Sequence, residues 1–268
     1  MHHLISQRVN AERSVMLGWS RAILLQLAHP LVAAGVAEHS SFRAGGVSAV
    51  FRLHHTIRAM LALAFGGDDA RQKALDGIRA IHRRVHGRLM HDAGIFCAGT
   101  PYSAEDPDLV LWVHATLLES IPLVYELVVR PLTSEERDAY CVEAVSIALD
   151  LGARAHEIPR THGDNAAYMA RMYESGAIAV SDQARELSAL VVSPPFGRFV
   201  APAAWVNRLV TVGLLPHDLR GELGLAWSER QARRLQSVAT LLRAARRVTP
   251  NAVALWPEAR RPGRFGPG

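Results

Sequence analysis

Residues 109–118 read LVLWVHATLL, and His114 and Thr116 are the only polar side chains among them. At about 100° per residue, ten consecutive side chains point in every direction, so a helix through this run is apolar all round. Such a helix has to be covered on every side, and the chain must therefore fold around a buried central helix. Asp106-Pro107 marks its start. Aspartate caps a first turn, and proline at the first helical position gives up an N–H that has no partner there anyway. The predicted helix spans about 106–129, with Pro122 inside it as a kink.

The rest of the chain keeps a helical period. No two alternating strands joined by Asn-Gly or Asp-Gly occur. Helices are predicted over 10–29, 31–38, 47–65, 69–89, 133–151, 165–174, 182–192, 201–212 and 228–248, separated by Pro30, Gly66-Gly67, Gly152, Pro194-Pro195 and Pro216. Residues 90–103 read as a loop long enough to serve a site. With 268 residues, 49% of them hydrophobic, the chain can bury a sizeable core. The fold class is all-α, one globular helical domain over 1–249 and a Pro/Gly/Arg-rich tail over 250–268, poorly ordered or draped on the surface.

Charge and motifs narrow the function classes. The net charge of +5 is carried by arginine, since Lys73 is the sole lysine, and arginines alternate with acids along the chain. No reading motif accompanies them, so no nucleic-acid partner is expected. The N-terminus lacks a basic segment followed by an apolar run. Residues 22–37 are too short and too polar to span a bilayer. A soluble cytoplasmic protein without a membrane span is the expectation. Cys97 and Cys141 cannot form a four-cysteine zinc site and read as small, inert apolar residues. Phosphate-binding glycine loops, a GxSxG elbow and a CxxCH haem-attachment motif do not occur.

His114 is the first candidate for chemistry. One helical turn either way lie Val110, Leu111, Leu117 and Leu118, so its imidazole loses its hydration and needs a partner. That partner is either a backbone carbonyl, as for an ordinary core histidine, or a metal. Imidazole suits iron, zinc and copper, and an aliphatic wall suits a porphyrin face better than a bare dication. Thr116 lies on another face of the same helix and is a weaker pocket candidate. Arg79, His82, Arg83 and His86 form the second candidate group. At i, i+3, i+4 and i+7 they share one helix face. This is either a solvated basic face or the lining of an anionic cofactor; haem, with an apolar ring and two carboxylates, fits histidines and arginines together. His82 and His86 at i, i+4 could also hold zinc, although no HExxH glutamate stands between them.

Several blocks in order resemble a known family: LLQLAHPLVAAGVAEHS (24–40), Phe42-Arg43, MLALAFG (60–66), IRAIH (78–82), Tyr102-Ser103-Ala104 and LWVHATL (111–117). They are similar to the bacterial domain grouped with latex-clearing protein, a rubber oxygenase, and with the fungal mycophenolic-acid pathway oxygenase MpaB. The resemblance is closest over 12–131. It implies an all-helical fold holding one non-covalent b-type haem, and O2-dependent cleavage of carbon–carbon double bonds in isoprenoid chains. By motif, His114 falls on the proximal iron ligand and Arg79 on an arginine close to the haem. His82 falls where rubber-cleaving members carry a distal lysine. A glutamate base of rubber cleavage has no counterpart in 59–67, and this chain is much shorter than the rubber oxygenases. The resemblance thus implies a haem-dependent oxygenase. His114 would hold the iron, His82 would ligate it or steer O2, and Arg79 with Arg83 would meet the propionates. The expected partners are O2 and a small apolar, isoprenoid-type substrate, with homo-oligomerisation open. The alternative is a bis-histidine haem protein without oxygenase turnover, for electron transfer, gas sensing or haem storage.

Overall fold

In the computed structural model, Asp106 caps the central helix by accepting from the Asp108 amide at 2.9 Å, and Pro107 occupies its first position. The structure describes residues 4–39, 46–193 and 201–260, with 46–53 as backbone. Phe42, Arg43, Gly45, Pro194, Pro195 and the end of the tail lie outside the described residues. The helices are α1 (Ile5–Ala11), α2 (Met16–Leu27), α3 (Pro30–His39), α4 (Gly46–Phe65), α5 (Asp68–His82), α6 (Pro107–Val128), α7 (Ser134–Leu151), α8 (His162–Glu174), α9 (Asp182–Val192), α10 (Ala201–Gly213), α11 (His217–Glu222), α12 (Glu229–Val248) and α13 (Asn251–Ala254). One small antiparallel ladder pairs β1 (His86–Arg88) with β2 (Pro101–Ser103). The fold is all-α apart from that ladder.

Helix α6 is buried on all sides, as an apolar circumference requires. It is long and apolar enough to cross a membrane, but 72% of its most apolar window is covered by the protein itself. Helix α2 lies closest against it. A Cβ on Gly18 would stand 2.7 Å from the Ser120 carbonyl oxygen, so only a hydrogen fits at that crossing. Arg21, 2% exposed, joins the same pair of helices. It donates to the Leu214 carbonyl (2.8 Å), Ser120 Oγ (2.7 Å) and both Glu119 carboxylate oxygens (3.2 Å each). A guanidinium this deep is tolerable only with its donors satisfied.

Local signals account for most helix ends. Thr133 with Glu136, Thr161 with Asp164, and Ser228 with Gln231 form capping boxes, and Gly152 ends α7 at φ +106°. The sequence reading is corrected in several places. The first predicted helix is broken at Glu12–Val15 by a 3-10 turn, and α5 stops at His82 instead of running to 89. Helix α11 was hidden by its six-residue length. Of the two alternatives for the tail, its start takes the draped one: the Trp256 amide donates to the Ala11 carbonyl at 3.0 Å, and Leu255, Trp256 and Ala259 pack on Ala11, Leu61 and Phe65.

Candidate active site

An apolar cavity of about 570 Å³ lies between α3, the end of α5, β2, α6 and α7, with Gln26 of α2 reaching its wall. That is the size of a small-ligand or cofactor site. Its wall is mostly aliphatic. Among the described residues, the polar side chains on it are Gln26, His39, His82, Tyr102, Ser103 and His114. A larger groove between the α7–α8 connection and α8 is lined by charged groups, so it lacks this apolar character.

His114 projects from the middle of α6 and is 8% exposed. Its Nε2 is shut off from solvent and has no hydrogen-bond partner among the described residues. Burial pushes the imidazole down to about pKa 4, so it is neutral at pH 7. Neutral imidazole is the form that binds a metal. The carbonyl-tied core histidine, one of the two options left by the sequence, finds no support at Nε2.

His82 ends α5 and lines the same cavity. Burial lowers its pKa, while the Glu105 carboxylate acts in the opposite direction. Two histidines 32 positions apart in sequence therefore share one apolar space.

The other residues read from the sequence stand elsewhere. Arg79 Nε and Nη2 donate to the Asp150 carbonyl at 2.9 and 2.5 Å, and Nη1 reaches Asp76 at 3.4 Å. The terminal carbonyls of α7 lack helical partners, and the guanidinium supplies one. Arg79 does not line the cavity. Arg83 is exposed just after α5, without a side-chain partner among the described residues. The expected shared helix face loses His86, which lies in β1 because the chain turns at 83–84. A His82–His86 zinc pair at helical spacing is thereby removed. Among the described residues, no group of three or more His, Cys, Asp or Glu could hold a metal ion. Thr116 is fully buried; its hydroxyl donates to the Val113 carbonyl (2.7 Å) and accepts from Gln26 Nε2 (3.0 Å). It touches the cavity only through Gln26.

Gln26, His39 and Tyr102 were missed as site residues. Tyr102 was legible only as part of a motif, and its strand is three residues long. Of the cysteines, Cys141 is buried with its thiol pushed up to about 12, whereas Cys97 is exposed.

His29 is a useful contrast. It is 4% exposed, packs 5.2 Å from the Phe96 ring, has an unpartnered Nδ1, and burial lowers its pKa to about 4, but it does not line the cavity. Below pH 6.5 the unfolded chain binds a proton at this ring that the folded chain refuses until about pH 4. His29 therefore lowers stability as pH falls through that window, by roughly 3 kcal/mol in full. In urea titrations, His29→Leu is expected to weaken the dependence of unfolding free energy on pH between pH 7 and 4.5, leaving the part that His114, with the same lowered pKa, supplies. An unchanged slope would contradict this.

An all-helical domain with a buried, unpartnered histidine on an apolar cavity is the class that fold and site define. The family model described as ER-bound oxygenase mpaB/B'/Rubber oxygenase, catalytic domain, matches residues 7–246. The chain belongs to this oxygenase family. It is also similar to "Uncharacterized protein Mb2261" of Mycobacterium bovis and "Uncharacterized protein Rv2237" of Mycobacterium tuberculosis. Each is 26% identical over 233 residues, covering 85% of this chain and 88% of the relative. No solved structure matches.

Proposed function

We propose that the cavity holds one non-covalent b-type haem and that the protein is an oxygenase acting with O2 on a small apolar substrate. The observation that carries this reading is His114: it lines the apolar cavity, and its Nε2 is desolvated and without a partner among the described residues. Leaving such a nitrogen unpaired costs about 1–3 kcal/mol, and an iron bond would remove that cost. The aliphatic wall suits a porphyrin ring, and membership of an oxygenase family supports the reaction class. When bound, haem iron supplies a position at which O2 binds and is activated.

The chain's own residues would do the following. His114, neutral at working pH, holds the iron. The aliphatic side chains of α3, α6 and α7 cover the ring and keep bulk water out. Arg83 does not line the cavity but is exposed next to His82 with no side-chain partner among the described residues, and would be the cation available to a propionate, while Arg79 fixes the end of α7 and so the wall carrying Ile147, Ala148 and Leu151. His82 is held neutral on the same cavity, which leaves it able to accept or donate one hydrogen bond.

The position of His82 also favours a second reading, closed bis-histidine ligation without turnover. His82→Ala separates the two. In the oxygenase reading haem stays bound and CO binding is retained or faster. In the closed reading the wild type is low-spin and indifferent to CO, and the substitution converts it to a high-spin, CO-binding form. Optical spectra of both proteins, with and without CO, check this. An identical CO-insensitive low-spin spectrum in the variant would exclude His82 as the sixth ligand.

A further inference from the structure

Helix α12 uses its arginines in two ways. On its inner side Leu235 and Leu242 pack on Val124, Val128 and Val210, Arg246 pairs with Glu12 at 2.7 Å, and Arg243 donates to the Glu126 and Leu127 carbonyls at 3.0 and 3.1 Å. These two guanidiniums hold the helix to the protein. The outer side has no such bonds. At about 100° per residue, Arg230, Arg234, Ser237, Leu241, Ala245 and Val248 fall within one sector, and all six are exposed. Arg233 and Arg247 border that sector along one flank.

Leu241 and Val248 are 67% and 82% exposed. Arg230, Arg234 and Arg247 have no hydrogen-bond or ion-pair partner among the described residues, and Arg233 reaches only Glu229, at 3.7 Å. A lone exposed aliphatic is ordinary, but two on one sector beside partnerless arginines form a patch. The Ser237 and Thr240 hydroxyls donate to the Arg233 and Gln236 carbonyls one turn back, at 3.1 and 2.9 Å. Their hydrogens are therefore satisfied inside the helix, and entering an apolar boundary strips neither of its bond. From Arg230 to Val248 the face runs about 27 Å, with cations at its start and aliphatic groups towards its end.

A second copy of the chain does not complement this face. Glu229 is the one carboxylate of α12 and already faces Arg233, so pairing two such faces sets arginine against arginine or against aliphatic carbon. An anionic bilayer complements both halves at once, with phosphate groups for the guanidiniums and an acyl boundary just beneath them. We propose that the outer face of α12 docks the protein on an anionic lipid bilayer. Leu241 and Val248 enter the boundary between headgroups and acyl chains, and Arg230, Arg233, Arg234 and Arg247 meet the lipid phosphates. The inference stands on α12 alone and holds whatever the cavity contains.

The test cosediments the full chain, at about 0.1 M salt, with phosphatidylcholine vesicles and with vesicles of phosphatidylcholine and phosphatidylglycerol at about two to one. Binding is expected to be at least about tenfold tighter to the anionic vesicles and to be lost at about 1 M salt. Leu241→Gln with Val248→Gln keeps every charge and is expected to weaken anionic binding about tenfold. Arg230→Gln with Arg234→Gln is expected to weaken it by a similar factor, whereas Arg84→Gln with Arg160→Gln, which removes the same charge elsewhere, is expected to change it less than about threefold. All six positions are exposed, and circular dichroism is expected to match the wild type. No binding to anionic vesicles would overturn the proposal. So would wild-type affinity in the glutamine pair at 241 and 248, which would reduce the effect to general attraction by a basic protein. A wild-type dimer that this pair converts to a monomer in sedimentation velocity would assign the face to a second copy instead.

Discussion

Replacing His114 by alanine is expected to lower the haem content of the purified protein at least about tenfold. The imidazole is buried in the middle of α6, and its Nε2 has no partner to lose among the described residues. Its removal therefore breaks no hydrogen bond at that atom, and the helix is well capped and covered without it. A non-covalent haem would then lose the bond from His114 to its iron, and each 1.4 kcal/mol of lost binding free energy is a tenfold loss of affinity. The substitution also leaves an imidazole-sized space, so added imidazole is expected to restore part of the haem. Haem per chain, measured as the pyridine haemochrome alongside far-ultraviolet circular dichroism, decides it. Full occupancy in a folded variant would show that His114 is not the required ligand.

The largest expected effect on stability is at Trp112, two residues before His114 in the same helix. Its side chain is 0% exposed and packs with Leu24, Leu25, Met169, Val212 and Leu219, and it meets the Tyr173 ring edge-on at 6.3 Å. Trp112→Ala is expected to cost about 3–5 kcal/mol, from lost burial and from the cavity left between helices that cannot close. Trp112→Phe is expected to cost less than half as much. It removes less volume, and it also removes a buried indole N–H with no partner. Urea unfolding gives both values. A loss under 1 kcal/mol for the alanine variant would contradict the placement of this residue at the centre of the core.

What the sequence revealed and concealed follows from the range of each signal. Asp106-Pro107 and an apolar circumference are local, so α6 and the burial of His114 could be read directly. The overextension of α5 has an identifiable cause. Ile81, Val85 and Leu89 continue a four-residue spacing, but beyond His82 the chain makes backbone bonds to a distant partner instead. The Ala104 amide donates to the Val85 carbonyl at 2.9 Å, and the Leu89 amide to the Thr100 carbonyl at 2.8 Å. Strands of three residues, joined by residues 89–100 rather than a two-residue turn, leave too little periodicity to detect.

The cavity itself was out of reach for the same reason. Gln26, Tyr102 and His114 meet only through the packing of α2, β2 and α6, which no single window contains. Arg79 shows the converse. Its type and position suggested an anionic cofactor, while the demand it meets is the unpaired Asp150 carbonyl, 71 positions away in sequence. Composition made an arginine cheap to place there, and only the tertiary fold shows what it holds.

The most direct measurement is the absorption spectrum of the wild-type protein purified after expression with ample haem, quantified per chain. Expected is a Soret band corresponding to about one protohaem per chain, released by acid and organic solvent as a non-covalent group. Folded protein without a Soret band, and without one after incubation with haem, would contradict the assignment of the His114 cavity to porphyrin iron.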